Sequence, residues 1–169
     1  MKIIEKAAGF KSRTAIVSKG KSYSYRALLH SSAAIASNIL ANKSDLLEKR
    51  IAFLTAPSFE YTAVQWGIWR AGGIAVPLCV MHPIPAMKYV VEDTNASIII
   101  ADDSFKEVGA ILAKESGIPL VTLDSLLVEA IKELPEITSE RKAMILYTSG
   151  TTSKPKGVVT RHQHIEAQI

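Results

Sequence analysis

Residues 143–158 read AMILYTSGTTSKPKGV, an apolar run that breaks directly into hydroxyls, glycines and lysines. Ala143–Tyr147 has the length and composition of a buried strand, and the segment after it is built differently. Gly150 and Gly157 permit close backbone approach and unusual dihedrals. Exposed backbone N–H groups and the hydroxyls of Thr148, Ser149, Thr151 and Thr152 can donate to phosphate oxygens. Lys154 and Lys156 add positive charge, and Pro155 between them stiffens the segment so that at least one ammonium is held at a fixed angle. The plain alternative is a Gly/Ser/Thr-rich turn joining a strand to a helix, but such turns seldom carry two lysines flanking a proline. The segment is not a Walker A loop. If Gly150 were that motif's first glycine, Pro155 would stand where the second belongs.

Upstream of this loop, short apolar runs alternate with longer amphipathic ones, the pattern of βαβ units and a parallel sheet. Ile51–Ala56 reads as a buried strand. Pro57 and Ser58 then open a helix that carries Phe59, Val64 and Ile68 inward and stops at Gly72-Gly73. Ile74–Val80 is the next strand, Pro83–Thr94 the next helix and Ser97–Ala101 the strand after it. Ser104 is an N-cap candidate for a helix through Glu115, with Gly117 as its stop and Pro119–Leu123 as a strand. Leu126–Leu134 reads as a short helix and Pro135–Lys142 as a surface loop. Ligands of open parallel sheets sit beyond the carboxyl ends of the strands, which is where the loop after Tyr147 emerges.

The opening differs. Thr14–Val17, Lys19-Gly20-Lys21 and Ser22–Tyr25 alternate like a small hairpin, and an Ala- and Ser-rich helix follows from Arg26 to Ala41. The expected fold class is therefore α/β, a mainly parallel sheet with flanking helices plus an N-terminal hairpin and helix. The chain divides into residues 1–49 and an α/β unit, 50–169, that ends in the phosphate loop.

With 169 residues, 48% of them apolar and 21% charged, the chain holds one globular domain's worth of sequence with enough apolar material for a core. Lys and Arg outnumber Asp and Glu by 20 to 16, a mild excess with no basic stripe or interleaved aromatics, so nucleic acid is not an expected partner. Cys79 is the only cysteine, which excludes an internal disulfide, and its place in Ile74–Val80 predicts a core residue. No stretch is long enough to span a bilayer and the opening MKIIEKAAGFKSR lacks a signal peptide's apolar segment, so the expected location is cytoplasmic.

The segment YTSGTTSKPKGV, Tyr147–Val158, closely resembles the signature of the AMP-forming acyl-CoA synthetases, the adenylate-forming superfamily that includes luciferases and peptide-synthetase adenylation domains. That pattern reads roughly YTSGTTGxPKGV, and Ser153 departs from its glycine. The likeness extends over GKSYSY (Gly20–Tyr25), GIWRAGGIAVPL (Gly67–Leu78) and MHPIPAMKYVVEDTNASIIIAD (Met81–Asp102). Val64–Pro83 is most similar to malonyl-CoA and methylmalonyl-CoA synthetases.

The resemblance implies an N-terminal piece of an enzyme that activates a carboxylic acid with ATP and magnesium as an acyl-adenylate and passes it to CoA. Malonate or methylmalonate is the acid it suggests, and the downstream part of the same enzyme the partner. It implies that Thr148, Ser149, Gly150, Thr151, Thr152 and Lys156 hold the β- and γ-phosphates, with Lys156 also stabilising charge during reaction, and that His162 begins the next helix and helps to shape the site. It implies too that residues 1–49 contribute to a second sheet completed downstream, and that this piece alone is inactive. Another adenylating enzyme and a non-catalytic nucleotide-binding module are the alternatives.

Other residues read as structural. His162 and His164 at i, i+2 point to different sides of a helix, a spacing that predicts no protein metal site. Trp66, Trp69 and Tyr61 are expected to pack a helix on the sheet, and Arg70 to meet that helix's dipole.

Overall fold

The apolar runs become strands because both of their faces are covered. In the computed structural model, which describes residues 1–129, 132–148 and 155–168, the chain runs α1 (Lys2–Gly9), β1 (Thr14–Ser18), β2 (Lys21–Ser24), α2 (Tyr25–Leu40), β3 (Arg50–Leu54), α3 (Phe59–Arg70), β4 (Ile74–Pro77) and α4 (Ile84–Asp93). It continues through β5 (Ile98–Ala101), a 3₁₀ turn (Asp103–Phe105), α5 (Lys106–Ser116), β6 (Leu120–Thr122), α6 (Leu123–Leu126), β7 (Lys142–Thr148), β8 (Lys156–Arg161) and α7 (His162–Glu166). A six-stranded sheet has the order β6-β5-β3-β4-β7-β8. Its strands are parallel from β6 to β7, with Ile51 opposite Ala75 on one side and Ile98 on the other, and β8 is antiparallel to β7.

Alternation along β3 explains why a continuous apolar run is required. Ile51 and Phe53 belong to a core shared with Leu28, Ile35, Trp66 and Trp69 under α2 and α3. Ala52 and Leu54 belong to a second core with Val76, Met87, Val91 and Leu112 under α4 and α5. The hairpin β1–β2 forms a separate two-stranded sheet, pinned by Tyr23 stacked on Phe59 at 4.3 Å. Ala7, Leu28 and Leu40 from the first 49 residues lie in the same buried cluster as Ile51 and Phe53.

Local chemistry sets the helix ends. Ser58 Oγ accepts the Tyr61 N–H at 3.2 Å, and Gly117 caps α5 in the left-handed conformation. Helices α2 and α3 approach so closely at Gly67 that a Cβ there would lie 2.4 Å from Ile35 Cγ2. Arg70 does not simply face a dipole: its guanidinium donates to Leu29 O at 2.7 Å and Ser32 Oγ at 2.9 Å, tying α3 to α2.

Four expectations are corrected. The helix read at 126–134 lies upstream, at Leu123–Leu126, because Asn38 Nδ2 donates to the carbonyls of Leu126 (3.0 Å) and Val128 (2.8 Å), and no helix continues through them. Ser104 caps no helix. It sits inside the 3₁₀ turn, closed by Phe105 N–H to Asp102 O, so the α-helix begins at Lys106. β4 ends at Pro77, the Leu78 N–H makes a last bond to Phe53 O at 2.9 Å, and Cys79 beyond it is exposed rather than core. Finally, the loop after Tyr147 leads into a strand, β8, before the helix. Among the described residues, no helix is long and apolar enough to cross a membrane.

Candidate functional site

The carboxyl ends of β3, β4, β5, β6 and β7 share one edge of the sheet, and β7 delivers Tyr147 and Thr148 to it. β8 starts at Lys156 and runs back along β7, so Thr148 and Lys156 are cross-strand partners at the mouth of the connecting loop. A hydroxyl and an ammonium predicted from sequence to act on one ligand are thus brought together, both exposed. Ser149, Gly150, Thr151 and Thr152 lie outside the described residues, as do Ser153 and Lys154.

His162 is not brought there. β8 is six residues long, so a residue past Arg161 stands about 20 Å from Lys156, at the opposite edge of the sheet. Its ring is 2% exposed and meets Trp69 edge-on at 5.7 Å, while its backbone N–H donates to Arg141 O at 3.0 Å. Burial pushes its pKa down to about 4, which keeps the imidazole neutral. Trp69 in turn donates from Nε1 to Ala143 O at 2.7 Å, so α3 grips β7 directly. Nearby, Arg141 bonds both oxygens of Asp45 (2.6 and 2.9 Å) and Gly72 O, and the Arg141 guanidinium holds the Asp45 carboxyl below its ordinary value.

On the loop's own edge, Tyr147 lies over α4. Its hydroxyl donates to Asp93 Oδ2, and its ring meets Tyr89 edge-on at 6.1 Å. Burial first, and the Asp93 bond second, raise the Tyr147 pKa above its usual value, so the phenol remains a donor. Gly157 is opposite Tyr147 for a steric reason: a Cβ there would lie 3.0 Å from Ile145 Cγ2 and 3.2 Å from the tyrosine ring. This arrangement divides two clefts. One, of about 810 Å³, is an open, mostly apolar groove lined by Cys79, His82, Tyr89, Tyr147, Thr148 and Pro155. The other, of about 470 Å³, is lined by Arg50, Asp93, Lys142, Tyr147 and Gly157, among others.

Sequence reading passed over Tyr89 and the Asp93 contact. The available signal was their i, i+4 spacing on a predicted helix, which puts both on one face. Among the described residues, no group of three or more His, Cys, Asp or Glu side chains is arranged for a metal ion.

Comparison with known proteins places this geometry in a family. The chain is 35% identical over 180 residues to the mitochondrial malonate–CoA ligase ACSF3 of Xenopus laevis, covering 99% of this chain and 31% of that protein. It is 32% identical over 183 residues to the malonate–CoA ligase of Arabidopsis thaliana, covering 93% and 30%. The chain therefore spans about a third of the length of these relatives. Among solved structures, the anthranilate CoA ligase AuaEII in complex with anthranoyl-AMP superposes with a TM-score of 0.85 at 20% identity, covering 98% of this chain and 35% of that one. The N-terminal domain of FACL13 from Mycobacterium tuberculosis gives 0.82 at 24% identity, covering 97% and 44%. At those identities the likeness speaks for the fold. The family model described as AMP-binding enzyme matches residues 3–169, and the chain belongs to that family.

Proposed function

We propose that this chain is the ATP-phosphate-binding part of an AMP-forming acid–thiol ligase, an acyl-CoA synthetase that joins a carboxylic acid to CoA while ATP becomes AMP and pyrophosphate. The observation that carries the reading is the β7–β8 hairpin, whose mouth pairs Thr148 with Lys156 at the carboxyl edge of the sheet. The sequence between them supplies Ser149, Gly150, Thr151 and Thr152, a donor set suited to a polyphosphate.

In this reading a carboxylate oxygen bonds to the α-phosphorus as pyrophosphate leaves, and the CoA thiol then displaces AMP. The chain's own part is electrostatic. The Thr148, Ser149, Thr151 and Thr152 hydroxyls and the Lys156 ammonium hold the β- and γ-phosphates and offset the charge that grows on the departing pyrophosphate. Magnesium enters with the nucleotide. The rest of the same enzyme supplies the remaining walls of the cleft.

Malonate is the acid we favour, and the names of the two similar ligases support it. Calorimetry with ATP and pyrophosphate on this chain tests the phosphate assignment. Binding that is unchanged by Lys156→Ala removes that lysine from the site. An acid screen on the complete enzyme, comparing malonate and methylmalonate with fatty and amino acids, tests the substrate, and a preference for any acid other than malonate overturns it.

A further inference from the structure

Both stems of the loop at residues 149–155 are held by one face of α4. Tyr89 and Asp93 stand at i and i+4 on that helix. Asp93 accepts the hydroxyl of Tyr147, the penultimate residue of β7. Tyr89 meets the Tyr147 ring edge-on at 6.1 Å, and its hydroxyl donates to Pro155 O at 3.4 Å, one residue before β8 begins. The descending stem and the returning stem are thus fastened to the same two side chains, one helical turn apart.

We propose that Tyr89 and Asp93 are positioning residues that clamp these stems to α4 and so fix the direction from which Thr148 and Lys156 reach a phosphate. The inference rests on the phosphate reading of the loop. Its physical basis is preorganisation. Thr148 and Lys156 are exposed and form the last pair of a hairpin at the sheet's edge, where a strand pair frays unless something outside the ladder holds it. A ligand that must first order a frayed mouth binds more weakly than one that finds it set.

The two anchors differ in weight. The Tyr147–Asp93 bond is charge-assisted, whereas the Tyr89–Pro155 bond is long, so the edge-on ring contact carries most of the share of Tyr89. Because Asp93 is an acceptor only, its amide counterpart preserves the interaction and its alanine counterpart abolishes it.

The test uses this chain with Asp93→Ala, Asp93→Asn and Tyr89→Leu, and reads two quantities. One is amide hydrogen exchange at Thr148, Lys156 and Gly157 against Ile51–Leu54 of β3. The other is affinity for inorganic pyrophosphate. Asp93→Ala and Tyr89→Leu are expected to speed exchange at the stems, leave β3 unchanged and weaken pyrophosphate binding by about three- to tenfold, the worth of one net hydrogen bond. Asp93→Asn is expected to restore most of the affinity. Unchanged exchange at the stems in both Asp93→Ala and Tyr89→Leu overturns the clamp, and so does equal loss of protection in β3, which marks a general structural role. If the unmodified chain binds no pyrophosphate while the stems loosen as expected, the phosphate reading fails and the clamp stands.

Discussion

Lowering the pH from 7 to 5 should destabilise this chain through one buried side chain, His162. The ring is 2% exposed against Trp69, and burial pulls its pKa from 6.5 to about 4. Between those two values the unfolded chain binds a proton that the folded chain refuses. Stability from this source is therefore fully present above pH 6.5 and is lost as pH falls toward 4. The gap corresponds to about 3 kcal/mol at ~1.4 kcal/mol per pH unit. Integrating the two titrations from pH 7 to pH 5 leaves a loss of about 2 kcal/mol. That window lies above the pH at which Asp45, Glu48 and Glu166 give up their contributions, since each of these carboxyls is held below its ordinary value. Urea unfolding at half-unit pH steps, followed by tryptophan fluorescence, measures the slope, and His162→Gln supplies the control in which it flattens. A wild-type chain equally stable at pH 7 and 5, or a His162→Gln chain with the same slope, refutes the reasoning. The same variant separates core from ligand: a residue about 20 Å from the loop should leave pyrophosphate affinity within about twofold once stability is matched.

Gly67→Ala should cost about 1–3 kcal/mol in urea unfolding, because the new Cβ meets Ile35 Cγ2 at 2.4 Å and Cβ at 2.7 Å across a tight helix pair. Trp69→Phe should lose about 0.5–1.5 kcal/mol by removing the buried Nε1–H bond to Ala143 O that ties α3 to β7, seen as a lower unfolding midpoint. Lys156→Ala should slow adenylation in the complete enzyme by about tenfold or more while leaving the fold intact, since the side chain is exposed; pyrophosphate-release kinetics and circular dichroism check the two halves. The isolated chain, spanning about a third of its relatives, should release no pyrophosphate from ATP with malonate and CoA.

Much of the fold was legible because its signals are local. A serine three residues ahead of a helical N–H, a glycine able to adopt a left-handed cap and a strand made wholly of apolar residues each announce themselves within a few positions, and Ser58, Gly117 and Ile51–Leu54 behave as read. The misreadings of α6 and β8 arose where a distant partner decided the outcome. The end of α6 is set by Asn38, 88 residues away from Leu126 in sequence. The strand at Lys156–Arg161 shows no burial alternation, with Val158 and Val159 both exposed, and exists because β7 offers it a ladder. Cys79 and Ser104 are local cases: Cys79 sits in an apolar run but falls two residues past the end of β4 and is exposed, and Ser104 falls inside a 3₁₀ turn.

The candidate site divides along the same line. Hydroxyls, glycines and lysines crowded after an apolar run are enough to suggest an anion and to carry the family likeness, since phosphate chemistry needs those groups close together along the chain. Which of them meet, and from where, depends on pairing across the sheet. The antiparallel return of β8 sets Lys156 opposite Thr148, sends His162 to the far edge and turns its imidazole into a neutral core group. The hold of α4 on Tyr147 links residues 54 apart in sequence and arises only when strand order lays β7 beside β4, beneath the helix that follows it. Composition and spacing act over a few residues, whereas strand order is settled by burying both faces of the sheet at once.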